Sequence, residues 1–289
     1  MSSAPATDEG PHFVASIVIP AHDEERVIGR TLGALLDGCG RFDVVVVCNG
    51  CTDRTADLAR SMGPAVRVLE IAEASKSAAV RAGNAATDVF PRVHLDADVE
   101  VSGADVVRLV EALDDEGVLA TAPRRLVPRE GCHPLVRWYL DVWEQLPQVA
   151  DGLFARGVIA LSHPGQDRVD ALPRVMSDDL AISDAFAAHE RRVVDTATVI
   201  VRPPRTVGDL LRRRVRVATG NAQATADGVR RAGSATGLST LGQIVRDRPA
   251  LAPRVIVFLA VTVVARARAR RLVRSGDFTT WHRDESSRS

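Results

Sequence analysis

Asp96 and Asp98 stand two residues apart at the end of an apolar run, Val93-His94-Leu95-Asp96-Ala97-Asp98-Val99. In extended backbone, side chains at i and i+2 project to the same side, so this spacing predicts two carboxylates leaving a strand end together. Like charges held that close repel unless a cation or a set of hydrogen-bond donors lies between them. Hard oxygen ligands of this kind suit Mg²⁺ or Mn²⁺, usually shared with a substrate's phosphates. A solvated acidic turn would read the same way over these seven residues alone, so the upstream segments must decide.

Other groups able to do chemistry are spaced along the chain. His22-Asp23-Glu24-Glu25 follows one apolar run, and Cys48-Asn49-Gly50-Cys51-Thr52-Asp53 follows another. Lys76 is the only lysine in the chain. Cys48 and Cys51, between a strand and a helix, also fit the placement of a redox dithiol. The intervening Asn-Gly, and a helix that starts only after Asp53, fit two unreactive thiols as well. A zinc site is disfavoured, because Cys39 and Cys132 supply no second C-x-x-C.

The elements that must position these groups alternate. Residues 15–20, 43–48, 66–71 and 93–95 read as buried strands. Helical spacing follows over 27–36, 55–62, 76–86 and 104–113, and a further strand is predicted at 118–122. This alternation predicts an α/β fold with one Rossmann-like, mostly parallel sheet flanked by helices. Ligands of such sheets sit beyond the carboxyl ends of the strands. The clusters at 21–25, 48–53 and 96–98 all fall at such ends, so they are expected to share one crevice.

IVIPAHDEE, VVVVCNGCTDRTADLA, SKSAAVRAGNAA and VHLDADV, taken in this order and spacing over residues 15–125, resemble the N-terminal half of the family 2 glycosyltransferases. The usual wording there is close to V-x-P-x-x-N-E, V-x-D-D-G-S-T-D-x-T, G-K-x-x-A-x-N-x-G and D-x-D. The resemblance implies the GT-A fold of the nucleotide-diphospho-sugar transferases and an inverting, metal-dependent, hexosyltransferase-like activity. By it, Pro20, Ala21, His22, Glu24, Asn49, Lys76 and Asp96 hold the nucleotide and Asp98 ligates Mg²⁺ or Mn²⁺. Asp179, in Ser177-Asp178-Asp179-Leu180, is the base that takes the acceptor's proton, though the same residues could cap a helix. Arg213-Arg214-Val215-Arg216-Val217 resembles the Gln-x-x-Arg-Trp segment of processive members, with Arg216 or Arg213 facing the leaving diphosphate. The missing tryptophan argues against a polysaccharide synthase. Cys48-Asn49 replaces the acidic pair that normally ends the second strand, Asp23 replaces Asn, and Ser75 replaces the glycine before the lysine.

Beyond residue 125 the pattern loosens. Leu135, Trp138, Val142 and Leu146 predict a helix over 134–147 packing one face, and 152–161 could line the acceptor side. Val255–Ala265 is an eleven-residue apolar run broken only by Thr262, short of the about 20 needed to span a bilayer, and arginines follow at 266, 268, 270, 271 and 274. Burial against the domain, a homodimer contact, and peripheral attachment through 255–274 to an anionic membrane surface are the readings open to it. The expected organisation is a leader over 1–12, a GT-A domain over 13–225 and a C-terminal helical extension over 226–289. Within the GT-A domain, 13–125 is the nucleotide-sugar half and 126–225 the acceptor half.

Lys plus Arg and Asp plus Glu both number 37, so zero formal net charge gives no electrostatic case for a nucleic-acid partner. No basic, apolar leader is visible at the N-terminus, and four cysteines in 289 residues are too few for a disulfide framework. A cytoplasmic setting is expected, or one peripheral on the inner face of the membrane. The expected partners are a nucleotide-diphospho-sugar and a small-molecule, glycan or lipid-linked acceptor. The rival functions are a sugar-nucleotide binder without turnover and a C-x-x-C redox protein. A nucleotidyltransferase is disfavoured, since no glycine-rich phosphate loop follows the first strand.

Overall fold

A computed structural model describes residues 13–37, 41–172, 178–226 and 237–275, with side chains described except at 178–179, 220–226 and 273–275. Its strands are β1 Ala15–Ala21, β2 Phe42–Asn49, β3 Val66–Ile71, β4 Arg92–Leu95, β5 Glu100–Val101, β6 Ala120–Leu126, β7 Val158–Leu161 and β8 Arg191–Ile200. They form one sheet in the order β3-β2-β1-β4-β7-β6-β8-β5. The first four neighbours run parallel, as the alternation predicts. β7 then enters antiparallel to both β4 and β6, and β6 pairs β8 in parallel.

The central strands are read correctly from sequence because both of their faces are covered. Every residue of β1 is buried, and so are Val44 to Val47 of β2. A parallel sheet covered on both sides calls for such unbroken apolar runs. The one hydroxyl in β1 is satisfied, with Ser16 Oγ donating to the Val89 carbonyl at 2.7 Å. Pro20 is tolerated late in the strand, where the ladder to β4 has already ended at the Val18–His94 pair.

Helices α1 Ile28–Leu36, α2 Thr55–Ser61, α3 Lys76–Ala85 and α4 Gly103–Glu111 connect the first half. Ser75 explains one departure from the family wording. It is the N-cap of α3, its Oγ accepting from the Ala78 N–H at 3.2 Å, so Lys76 becomes the first helical residue.

The second half holds α5 Pro134–Trp143, α6 Pro147–Asp151, α7 His163–Asp170, α8 Asp178–Ala185, α9 Val207–Ala226, α10 Leu238–Asp247 and α11 Ala252–Ser275. The helix expected over 134–147 is thus two, broken before Pro147. Its buried face also differs from the expected one. Val136, Tyr139, Leu140 and Val142 are buried, whereas Leu135 and Trp138 are exposed. The partner decides this: Tyr139 stacks on Phe258 of α11 with ring centroids 5.0 Å apart, inside a second apolar core that includes Leu210, Leu241, Ile244, Val255 and Val261. The 255–265 run buries one face there, and α11 extends well beyond it.

Candidate active site

The carboxyl ends of β1, β2 and β4 lie side by side, and hydrogen bonds tie the loops leaving β1 and β2 together. Asn49 Nδ2 donates to the Ala21 carbonyl at 2.8 Å, and His22 Nδ1 lies 2.6 Å from the Asn49 carbonyl. A carbonyl can only accept, so His22 carries its proton on Nδ1. Asn49 is buried, and its amide nitrogen is committed to this bridge rather than exposed toward a base edge. The Glu24 N–H donates to Thr55 Oγ1 at 2.7 Å.

Asp23 has a left-handed backbone, φ +49, which Asp and Asn tolerate better than most residues. From there its Oδ1 accepts from the Thr52 N–H at 2.7 Å. Its carboxylate therefore braces the turn after β2, a role that asparagine's Oδ1 could equally fill.

The turn after β2 also fixes where α3 begins. Gly50 takes φ +59, and a Cβ there would come within 2.8 Å of the Ala74 Cβ. This close approach sets the segment that leads into Ser75 and Lys76. Lys76 Nζ then reaches Asp96 Oδ1 at 2.8 Å. The structure thus brings α3 and the 96–98 turn together at the same sheet edge as the loops of β1 and β2.

The local geometry of the acidic pair differs from expectation. β4 ends at Leu95, and Asp96-Ala97-Asp98 forms a turn rather than extended chain. The i, i+2 projection rule of a strand therefore does not apply to it. Thr31 Oγ1 holds the Ala97 carbonyl at 2.7 Å, and the Asp96 N–H donates to the Gly157 carbonyl at 2.7 Å. Asp96 is engaged by Lys76, whereas Asp98 has no hydrogen-bond or ion-pair partner among the described residues.

Gly157, which sequence reading missed, sits directly against this turn. It has φ +68, and a Cβ on it would meet Val99 Cγ1 at 2.6 Å. The 152–157 loop is fixed from behind by the half-buried Arg125 and the buried Arg156. Arg125 donates to the Val149 and Ala155 carbonyls at 3.0 Å and lies over the Trp143 ring at 4.6 Å. Arg156 donates to Pro123, Ala150 and Gly152. Burial pushes Arg125 down to about 9, helped by the neighbouring Arg156 charge, and Arg156 down to about 10. No periodicity or motif marks either arginine, because each is defined by carbonyls that only the fold brings together.

His94, in the strand leading to Asp96, faces Asn84 with Nε2 3.2 Å from Oδ1. Burial, and then the positive charge of Lys76, depress its pKa to about 4. Burial pushes the Cys48 thiol up to about 12 and raises Cys51 as well. A redox-active dithiol needs a lowered thiolate pKa, so the geometry runs against that rival.

Two expected residues come from the second half of the chain. Asp179 is the second residue of α8, with its side chain outside the described residues. Ser177 lies outside them too. Arg216 is exposed on α9, and Arg214, not Arg216, approaches the Tyr139 ring, at 5.8 Å. Among the described residues, one His/Asp/Cys group comes close enough to share an ion, namely His22, Asp23 and Cys51.

Sheet order, antiparallel β7 and the acidic turn together define a GT-A protein. Residues 16–153 match the model of the family described as glycosyl transferase family 2. A 4,4'-diaponeurosporenoate glycosyltransferase of Staphylococcus aureus is 31% identical over 126 residues, covering 41% of this chain and 34% of that protein. The chain therefore spans about a third of the length of this curated relative. Among solved structures, a mannosyltransferase from Pyrobaculum calidifontis in complex with GDP-Man and Mn²⁺ matches with a TM-score of 0.60. Its sequence identity is 19%, over 94% of this chain and 81% of that one. Glucosyl-3-phosphoglycerate synthase from Mycobacterium tuberculosis, with Mn²⁺, UDP and glucosyl-3-phosphoglycerate, gives 0.55 at 20% identity over 76% and 82%. At these identities the likeness establishes the fold.

Proposed function

We propose that this domain moves a sugar from a nucleotide-diphospho-sugar to an acceptor hydroxyl with inversion at the anomeric carbon. One observation carries the reading: Lys76 Nζ pairs with Asp96 Oδ1 at the carboxyl edge of the parallel strands, beside the braced loops of β1 and β2 and in the turn that also holds Asp98. The mannosyltransferase, a complex with Mn²⁺ and GDP-Man, and the glucosyl-3-phosphoglycerate synthase, a complex with Mn²⁺, UDP and glucosyl-3-phosphoglycerate, support it by analogy of fold.

The donor set fits a divalent cation of the Mg²⁺ or Mn²⁺ type. Such ions accept one or two protein carboxylates and complete their shell with phosphate oxygens and water. Asp98 would be the direct ligand, with Asp96 held toward the nucleotide by Lys76. When bound, the ion supplies electrostatic stabilisation of the departing diphosphate.

The protein's own groups carry the remaining work. Pro20, Ala21, His22 and Glu24 form the nucleotide wall, braced from behind by Asn49 through its bond to the Ala21 carbonyl, and Lys76 offers a cation to the ribose or phosphate side. Asp179 takes the acceptor proton as the new bond forms, since a sugar hydroxyl ionises far above neutral pH. Arg216 assists the leaving diphosphate from α9. The 126–225 half takes the acceptor, and the described part of the C-terminal extension, residues 237–275, packs against it through Leu241, Ile244, Val255 and Phe258.

The test is a thermal-shift screen of UDP- and GDP-sugars with and without Mn²⁺, followed by product analysis with the stabilising donor. Specific, Mn²⁺-dependent stabilisation and an inverted product are expected. Binding with no transfer to any acceptor class would reduce the protein to a sugar-nucleotide binder. No stabilisation by any donor would remove the proposal.

A further inference from the structure

We infer that the outer face of α11, with Arg212 of α9, docks on the surface of an anionic lipid bilayer. The inference does not depend on the glycosyl-transfer reading.

The helix is apolar on two sides. One side enters the second core through Val255, Phe258 and Val261, and further along packs Ala265 and Ala269 against Val215 of α9. The other leaves Ile256 69% exposed, Val263 62% and Val264 40%. Spacings of seven and eight residues put these three on one helix face. Single exposed aliphatic residues are ordinary, but an aligned group on one helix is the pattern of an interaction surface. Pro249–Leu272 is even long and apolar enough to cross a membrane by length and composition. Its inner face, however, is occupied by the domain, which fits a helix lying in the interface.

Charge selects the partner. Arg266, Arg268, Arg270 and Arg271 are exposed at the end of the apolar stripe, and α11 contains no acidic residue. Among the described residues no ion pair neutralises these four. Where the stripe ends, a cavity of about 290 Å³ opens between α9 and α11, lined by Arg212, Arg268 and Arg271 with Val215 and Leu272. Arg212 is held by Asp209 on α9, and the Arg268 and Arg271 guanidinium groups beside an apolar lining match a phosphate head that continues into hydrocarbon. A symmetric second copy would bring like arginine clusters together, which costs energy without counter-ions. The chain as a whole is formally neutral, so this is a local feature and not a bulk attraction.

Flotation of the full chain with phosphatidylcholine vesicles, alone or with about one-third phosphatidylglycerol, tests this. Binding is expected only to the anionic vesicles, and it should weaken as salt rises. Each arginine removed should cost about fivefold in partitioning, so Arg268→Ala with Arg271→Ala should cost about 25-fold. Ile256→Ser with Val263→Ser, both at exposed positions and checked for an unchanged Tm, should weaken binding severalfold. Equal binding to neutral vesicles, or none to either, would overturn the inference. So would retention through alkaline carbonate extraction, which marks a spanning helix. Light scattering that shows a dimer lost in the Ile256/Val263 variant, with no vesicle binding, would assign the face to a second copy. Stabilisation by millimolar inorganic phosphate that matches the vesicles would assign the cavity to a free anion instead.

Discussion

Lys76 Nζ stands 2.8 Å from Asp96 Oδ1, linking the first residue of α3 to the turn that ends β4. Both side chains are about one-third exposed, and pairs of that kind add roughly 0–1 kcal/mol to stability. A charged hydrogen bond to a bound ligand contributes more, about 1.5–3 kcal/mol. Lys76→Met should therefore leave urea denaturation within about 1 kcal/mol of wild type while weakening donor-nucleotide binding by roughly 10- to 100-fold. Calorimetric titration and denaturation on the same variant separate the two. A stability loss with unchanged affinity would make Lys76 structural.

Asp98 and Asp179 should fail in different ways. Asp98→Ala is expected to erase the Mn²⁺ dependence of donor binding, so equal affinities with and without the ion in wild type would refute the assignment. Asp179→Asn should bind donor normally and lose transfer by about 10²- to 10⁴-fold, the usual contribution of general base catalysis. A fully active Asp179→Asn would move the base elsewhere.

Gly157→Ala tests how closely the loop must approach the acidic turn. The new methyl must both adopt φ +68 and displace Val99 Cγ1 from 2.6 Å. Strain of these kinds costs about 1–3 kcal/mol each. A second change, Val99→Ala, should recover the contact part and leave the backbone part. Full stability of the single variant would show that the loop yields freely.

His94 should set an acid limit to stability. Its folded pKa of about 4 lies below the unfolded value near 6.5. Between these values the unfolded chain binds a proton that the folded chain does not, so stability rises with pH through the window and falls as pH drops from 6.5 toward 4. Allowing for its partial exposure, the loss is about 2 kcal/mol. His94→Gln should flatten the dependence of Tm on pH over that range. An unchanged slope would place the acid sensitivity on another group.

The parallel core was legible because buried parallel strands need continuous apolar runs. Those runs, with polar clusters at their ends, mark both the sheet and the edge where ligands go. The structure brings the loops of β1 and β2, Lys76 and the acidic turn to one edge, while the nucleotide-binding roles of Pro20, Ala21, His22, Glu24, Asn49, Lys76 and Asp96 come from the family resemblance. The α5 face was misread, since Trp138 looks like a core residue by composition. Yet Tyr139 is the residue that Phe258 selects, from a helix more than a hundred positions away.

By itself the sequence determined the strand–helix alternation, the order of the motifs and the carboxylates at the end of the fourth strand, because periodicity and turn chemistry are local. Only the tertiary structure decided that Asp96 and Asp98 lie in a turn, that Gly157 presses against it, and that Arg125 and Arg156 hold its loop. Those features depend on contacts between segments distant in the chain, and no local pattern encodes a carbonyl that arrives from another strand.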